Sequence, residues 1–135
     1  MSYNVYLVSS SGLPMDHHAI FIETHESGPK TGYIYQVTGN IQTGMVHGHR
    51  QSDIPEDMPD FAGVKKLLGT VEVGDYERVR TVVDSVEVPG KQFDGPKRLG
   101  REPLRRCQEW TREAIDKLLE EGVLKPCVTE SGEGF

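Results

Sequence analysis

Two cysteines and five histidines are the residues of this sequence best suited to chemistry near neutral pH. A thiolate is a strong nucleophile and an imidazole can take its proton, so one Cys–His pair suffices to attack a carbonyl carbon. Cys107 lies in an apolar helical pattern, whereas Cys127 follows Pro126 near the chain end. Cys107 is therefore the candidate nucleophile and Cys127 a bystander. The plainer alternative for Cys107 is a small, inert, buried hydrophobe.

The helix that must position Cys107 is the clearest element of the sequence. Apolar residues recur at three- and four-residue steps between Pro103, which suits a first helical position, and Gly122, which suits a stop. Unpaired N–H groups and the dipole at a helix start favour a thiolate, and the same N–H groups can hold an oxyanion. Arg105 and Arg106 add positive potential beside the sulfur.

The candidate base lies in a predicted strand over His17–Glu23. Alternation along HHAIFIE places His17, Ala19 and Phe21 on one face, and the small Ala19 predicts that a helix approaches this face closely. Strand ends are often misplaced by a residue or two in such predictions, so His18 remains an alternative base.

The remaining elements predict an α+β domain. The other strands are predicted at residues 4–9, 32–38, 45–49 and 65–73. A helix over 76–86 and the final helix follow the strands, an order typical of an antiparallel sheet, here of about five strands, with two main helices packed on it. We expect one domain over residues 1–128 and a flexible tail at 129–135.

Composition excludes several classes of function. The net charge of -6 and the pI of about 5.3 argue against general nucleic-acid binding. No stretch approaches the roughly 20 apolar residues that span a bilayer, and the first residues lack the pattern of a signal peptide. No phosphate-loop spacing is present. We therefore expect a cytoplasmic protein with reduced thiols, no cofactor, and a peptide or small-molecule substrate; the oligomeric state is not readable from the sequence.

A His-x-His pair, His47 and His49, would place two imidazoles on one strand face, a spacing that suits Zn or Cu. His25 or Asp53 are the candidate third ligands. Because no Cys/His cluster completes such a site, an exposed polar edge strand is the favoured explanation of the pair. The sequence therefore predicts no metal.

Two further features flank the candidate nucleophile. The loop Lys91–Arg101 carries several positive charges and is a candidate for recognising a carboxylate, with a solvated connection as the alternative. Trp110 follows Cys107 by about one helical turn. It is a candidate wall of the substrate pocket, with core packing as the alternative.

Three short motifs resemble the circularly permuted, NlpC-type papain-like cysteine proteins. His17–Ile22 (HHAIFI) resembles the His-x-Ala/Gly-Ile-x-Val strand of the lecithin retinol acyltransferase-like proteins and the PPPDE-type isopeptidases. Residues 106–110 (RCQEW) are similar to the Asn-Cys-x-x-Phe motif that opens their nucleophile helix, with Arg106 in the Asn position. Residues 32–36 (GYIYQ) resemble the Gly-Tyr-Val-Ile-His segment of the acyltransferases. The whole sequence is also similar to small uncharacterised fungal proteins.

The resemblance implies a permuted papain-like topology, with Cys107 as nucleophile, His17 as general base and Gln36 as the group that orients the imidazole. The implied activity is hydrolysis or acyl transfer at an amide, ester or thioester carbonyl. The candidate substrate-binding residues are Trp110, Tyr35 and His18. Two alternatives stay open: a binding module with a degenerate site, and a small-molecule tailoring enzyme that uses His17 as acid/base without a covalent intermediate.

Overall fold

A computed structural model describes residues 1–12 and 16–127. The strands are β1 (Ser2–Ser10), β2 (His17–Glu23), β3 (Gly32–Tyr35), β4 (Val37–Asn40), β5 (Gly44–His47), β6 (Arg50–Ser52), β7 (Phe61–Glu72), β8 (Phe93–Asp94), β9 (Lys97–Arg98) and β10 (Lys125–Pro126). The helices are α1 (Tyr76–Ser85) and α2 (Cys107–Glu120), with 3₁₀ turns at Pro55–Asp57 and Val73–Asp75.

The main sheet is antiparallel, with strand order β10-β7-β1-β2-β3-β6. The predicted α+β class with two main helices is confirmed. Within the described residues the sheet has six strands where about five were expected. The predicted strand at 45–49 forms β5 of a separate hairpin, whereas the edge strands β6 and β10 are too short to leave an alternating pattern in the sequence. The pairs β4–β5 and β8–β9 form two separate hairpins.

The two helices pack on the face of the sheet that carries Ile20 and Ile22, in one cluster with Trp110. Ala19 and Phe21 lie in a second, smaller cluster. The expectation that the final helix crosses the sheet over Ala19 is therefore wrong. The apolar stripe of α2 buries more surface against the larger isoleucines than a close approach over one alanine would allow.

The predicted strand over 32–38 is interrupted at Gln36, where the chain leaves the main sheet. The Gln36 N–H donates to Nδ1 of His49 at 3.0 Å, and its carbonyl accepts from the Gly48 N–H at 2.9 Å. These bonds replace the ladder bonds that a continuous strand would make, so β3 ends at Tyr35 and the β4–β5 hairpin begins at Val37.

The final helix begins at Cys107 and not at Pro103 as expected. The side chain of Gln92 accepts from the Arg105 N–H at 2.8 Å and donates to the Arg105 carbonyl at 2.7 Å. An amide that binds both main-chain groups of a residue mimics a neighbouring strand, so this segment stays extended up to Arg106. The Gln92 N–H in turn donates to the carbonyl of Ile41 in the β4–β5 turn at 2.7 Å.

No helix in the described parts of the chain is long and apolar enough to cross a bilayer. The predicted tail at 129–135, and residue 128 at the end of the predicted domain, lie outside the described residues.

Candidate active site

A cavity of about 420 Å³ opens where β1 ends and β2 begins. Its walls come from that end of the sheet, from the β4–β5 hairpin and from the start of α2. His17, Gln36 and Cys107 all line it. The fold thus brings together the three residues that the sequence motifs single out, from three different elements of the chain.

All the polar groups of Gln36 have partners, which fixes the residue in place. Its side-chain Nε2 donates to the Gly48 carbonyl at 2.9 Å, and Oε1 lies 2.7 Å from Nε2 of His17. Its main-chain groups bind His49 and Gly48, as described above. Gly48 also packs against Thr38, and a Cβ at Gly48 would lie 2.6 Å from Cγ2 of Thr38.

These bonds determine the tautomer of His17. Because only the amide nitrogen of Gln36 can donate to the Gly48 carbonyl, the amide oxygen must face the imidazole. His17 Nε2 therefore carries a proton and donates it to Gln36, an assignment that follows from the hydrogen-bond network. In the neutral ring the other nitrogen, Nδ1, is left unprotonated and available to the thiol.

The thiol and the imidazole shift each other's pKa in the directions that favour an ion pair. Burial raises the pKa of the Cys107 thiol, but the interactions with the His17 side chain and the His18 main chain outweigh it and lower the pKa. The interaction with Cys107 is the largest influence that raises the pKa of His17; burial opposes it, and Gln36 and Asp60 add to it. The pair is thus poised toward thiolate and imidazolium.

Cys107 is the first residue of α2, which places its sulfur at the positive end of the helix. The Trp110 N–H is bonded to the Arg106 carbonyl at 3.0 Å. The N–H groups of the three residues before Trp110 have no acceptor within the helix, as is general for a first turn. The Arg106 N–H donates to Oε1 of Glu109 at 2.7 Å and stabilises this helix start.

Gln108 joins the start of α2 to the start of β2. Its Nε2 donates to the main-chain carbonyl of Asp16, the residue before His17. Its Oε1 is the one buried side-chain polar atom without a hydrogen-bond partner in the described residues. This bond holds the segment that carries the thiol against the segment that carries the imidazole.

The three predicted substrate-binding residues do not line the cavity. Trp110 is fully buried in the core, and its indole N–H donates to a main-chain carbonyl. Tyr35 is also buried in the core, and its hydroxyl donates to that of Tyr76 at 2.9 Å. The His18 carbonyl accepts from the Thr111 hydroxyl at 3.2 Å, so the main chain of His18, rather than its ring, supports α2.

A second polar cluster is joined to the main chain of Gln36 through His49. The sequence indicated its two histidines but not its acidic member. Ligand atoms of His47, His49 and Asp84 lie within 4.8 Å of one another. His49 Nε2 lies 2.9 Å from Oδ1 of Asp84, and the His49 side chain is only 1% exposed. Burial lowers the pKa of His49 more than Asp84 raises it, so the ring is kept neutral. The third member is Asp84, near the end of α1, and not His25 or Asp53.

The hydrogen bonds of His49 do not suit a metal ligand. Nδ1 accepts from the Gln36 N–H, so the proton of the neutral ring must be on Nε2, where it is donated to Asp84. A metal bound through Nε2 would need that proton to move to Nδ1, where it would face the Gln36 N–H. A ligating His normally donates its second N–H to an acceptor, which is the opposite arrangement. The cluster therefore fits a role in holding Gln36.

None of the residues of the charged loop at 91–101 lines the cavity of Cys107. Its residues line a different cavity together with the segment Pro103–Arg105. The guanidinium-bearing residues at the cavity of Cys107 are Arg50, in β6, and Arg106. Arg106 was visible in the sequence as a neighbour of Cys107, whereas nothing in the sequence around Arg50 pointed to the site.

Comparison with known proteins gives a family and no activity. Residues 5–125 match the family of unknown function DUF6540. The chain belongs to DUF6540. No curated protein and no solved structure matches it. His17, Gln36 and Cys107 lie inside the region that matches DUF6540, and Cys127 lies beyond it.

Proposed function

We propose that this DUF6540 chain is a thiol-dependent hydrolase or acyltransferase with a permuted papain-like topology, acting on an amide, ester or thioester carbonyl. The observation that carries the proposal is the locked Gln36, which leaves His17 with a free Nδ1 beside a thiol of lowered pKa. An inert core cysteine would need neither an oriented imidazole nor a place at a helix start.

The order of the elements supports the papain-like assignment. The imidazole comes first, at the start of β2; the orienting carboxamide follows β3; the thiol comes last, as the first residue of a helix. This is the order implied by the resemblance of the three motifs to permuted papain-like proteins.

The proposed reaction has two steps. The Cys107 thiolate attacks the carbonyl carbon, and the first-turn N–H groups of α2 stabilise the oxyanion. His17, which holds the thiol proton, gives it to the leaving group as the C–N, C–O or C–S bond breaks, and a thioester to Cys107 remains. Water or another nucleophile then loses a proton to His17 and displaces the thiol, which yields an acid or a transferred acyl group.

Acetylation by p-nitrophenyl acetate tests the proposal directly. The thiolate displaces p-nitrophenolate and becomes an acetyl thioester, which mass spectrometry of the intact protein and of its peptides assigns to a residue. We expect rapid acetylation at Cys107, abolished in Cys107→Ser and slowed about a hundredfold in His17→Ala, the lower end of the usual contribution of a general base.

The matched controls are Cys127→Ser and His18→Ala, which should acetylate at the wild-type rate. Equal labelling of both cysteines, or an unchanged rate in His17→Ala, would overturn the assignment.

A binding module with a degenerate site is the second candidate. Cys107 is only 7% exposed, which suits a thiol that packs against a ligand rather than one that reacts. In that case Cys107 would acetylate no faster than glutathione, even though the cavity is present.

A further inference from the structure

The cavity around Cys107 has the size and lining of a site for a small polar molecule. Its volume of about 420 Å³ falls within the usual range for small-molecule sites. Serine, threonine, asparagine and glutamine side chains supply much of the wall, with Ile41 and Met45 as the apolar part. Such a lining favours a compact ligand with hydrogen-bonding groups over a long acyl chain.

Two arginine residues in its lining give this cavity a local excess of positive charge. Arg50 and Arg106 both line it, and Asp60 is the one carboxylate-bearing residue among the described residues of the wall. Neither arginine forms an ion pair in the described part of the chain, whereas the adjacent Arg105 is paired with Glu113 at 2.8 Å. The helix start at Cys107 adds further positive potential on the same side.

The positive charge of the cavity lining is opposite in sign to the net charge of the whole molecule. The chain has a net charge of -6, yet the cavity carries two arginines against one aspartate. The excess of one positive charge matches one carboxylate better than a doubly charged phosphate monoester. Guanidinium groups bind carboxylates through paired hydrogen bonds of matching geometry.

We propose that the substrate carries a carboxylate close to the carbonyl that Cys107 attacks, and that Arg50 and Arg106 bind this carboxylate. The inference rests on the proposed function and gives the substrate class for that site. Arg106 holds the anion near the helix start, and Arg50 contributes from β6, the edge strand of the main sheet. A neutral substrate of the same shape offers neither guanidinium group a carboxylate, and Arg50 keeps only its hydrogen bond to the Gln51 carbonyl at 3.3 Å.

Alkylation with iodoacetate and iodoacetamide tests this charge preference without knowledge of the natural substrate. In both reactions the thiolate sulfur displaces iodide and forms a thioether, and the two reagents differ in whether they carry a carboxylate or a neutral amide. The measured quantity is the ratio of the two second-order rate constants at Cys107, obtained by peptide mass spectrometry. Because both reagents attack the same thiolate, the ratio cancels any change in thiolate population.

We expect the iodoacetate-to-iodoacetamide ratio at Cys107 to exceed the ratio at Cys127 in the same molecules. It should fall about fivefold in each of Arg50→Gln and Arg106→Gln, as expected for loss of one charge contact in water. Arg50→Lys should retain most of the preference. Arg112→Gln is the matched control, because Arg112 is an exposed arginine of α2 outside the cavity wall, and its ratio should equal that of the wild type.

Unchanged ratios in correctly folded Arg50→Gln and Arg106→Gln, checked by circular dichroism, would overturn the proposed carboxylate site. An equal fall in Arg112→Gln would also overturn it, since the effect would then belong to the overall charge. Failure of the proposed function gives a different result: Cys107 would react with both reagents as slowly as glutathione does.

Discussion

The side-chain oxygen of Gln36 lies 2.7 Å from Nε2 of His17, and the amide nitrogen of Gln36 is held by the Gly48 carbonyl at 2.9 Å. Gln36→Leu removes the acceptor that orients the imidazole while keeping a side chain of similar size. One hydrogen bond of about 1.4 kcal/mol corresponds to a tenfold change in rate, so acetylation of Cys107 should slow about tenfold. Mass spectrometry against time measures this rate.

The control for that substitution is Gln42→Leu, since Gln42 also lines the cavity but is exposed at the hairpin turn. It should acetylate at the wild-type rate. If Gln36→Leu and Gln42→Leu behave alike, Gln36 does not orient His17.

The lowered pKa of Cys107 predicts reactivity at unusually low pH. The rate of alkylation by iodoacetamide should reach half its maximum at a pH below that of an unperturbed thiol. Since the side chain of His17 helps to lower the pKa of Cys107, His17→Ala should move this midpoint upward. His18→Ala should not, because His18 acts through its main chain. A midpoint in His17→Ala equal to that of the wild type would contradict the ion-pair description.

The buried ring of His49 should stabilise the fold through Gln36. His49→Phe keeps an aromatic ring but leaves the Gln36 N–H without its acceptor, which costs about 1–3 kcal/mol for a buried group. The free energy of unfolding in urea measures the loss, and acetylation of Cys107 should slow in parallel. His47→Phe, at the more exposed ring of the same cluster, should change both quantities little. Equal effects of the two substitutions would show that the bond to Gln36 is not the cause.

The lowered pKa of His49 also predicts how the stability of the fold depends on pH. Burial lowers the pKa of His49 below its value in the unfolded chain, about 6.5, so the unfolded state binds the proton more readily. The contribution of His49 is fully present above that pH and is lost as the pH falls toward the folded-state value. Between pH 7 and 5 the wild type should therefore lose more stability than His49→Asn, whose side-chain oxygen can still accept from Gln36.

His17 contributes in the opposite direction, because its raised pKa adds stability as the pH falls. Both proteins contain His17, so its contribution cancels in the difference between their stability curves. Parallel curves of unfolding free energy against pH would show that His49 does not titrate differently in the folded and unfolded states.

Local sequence patterns predicted the elements that carry the candidate site. The alternation over His17–Glu23 gave β2 with the same bounds as the structure, and the apolar periodicity placed Cys107 near a helix start. The start itself was wrong because Pro103 is a good first helical residue by local preference, while the side chain of Gln92 holds Arg105 in an extended conformation. A contact between distant segments overrode that preference.

Contacts of this kind were out of reach of the sequence. Arg50 enters the cavity through the pairing of β6 with β3, and Asp84 meets His49 because α1 ends beside the chain that follows β5. Neither residue has a periodic pattern or motif around it. Tyr35 and Trp110 are predicted to bind substrate, but both are large, mainly apolar side chains that pack in the core.

The β4–β5 hairpin is connected indirectly to both members of the thiol–imidazole pair. At its base it continues from Gln36, which holds His17, and at its turn the Ile41 carbonyl holds Gln92, which in turn holds the segment before Cys107. The hairpin thus helps to position both reacting groups. Damage to its turn at residues 40–44 should displace the segment before Cys107, and damage to its base at Gln36 should displace His17. Either change should abolish the chemistry in a protein whose overall architecture is intact.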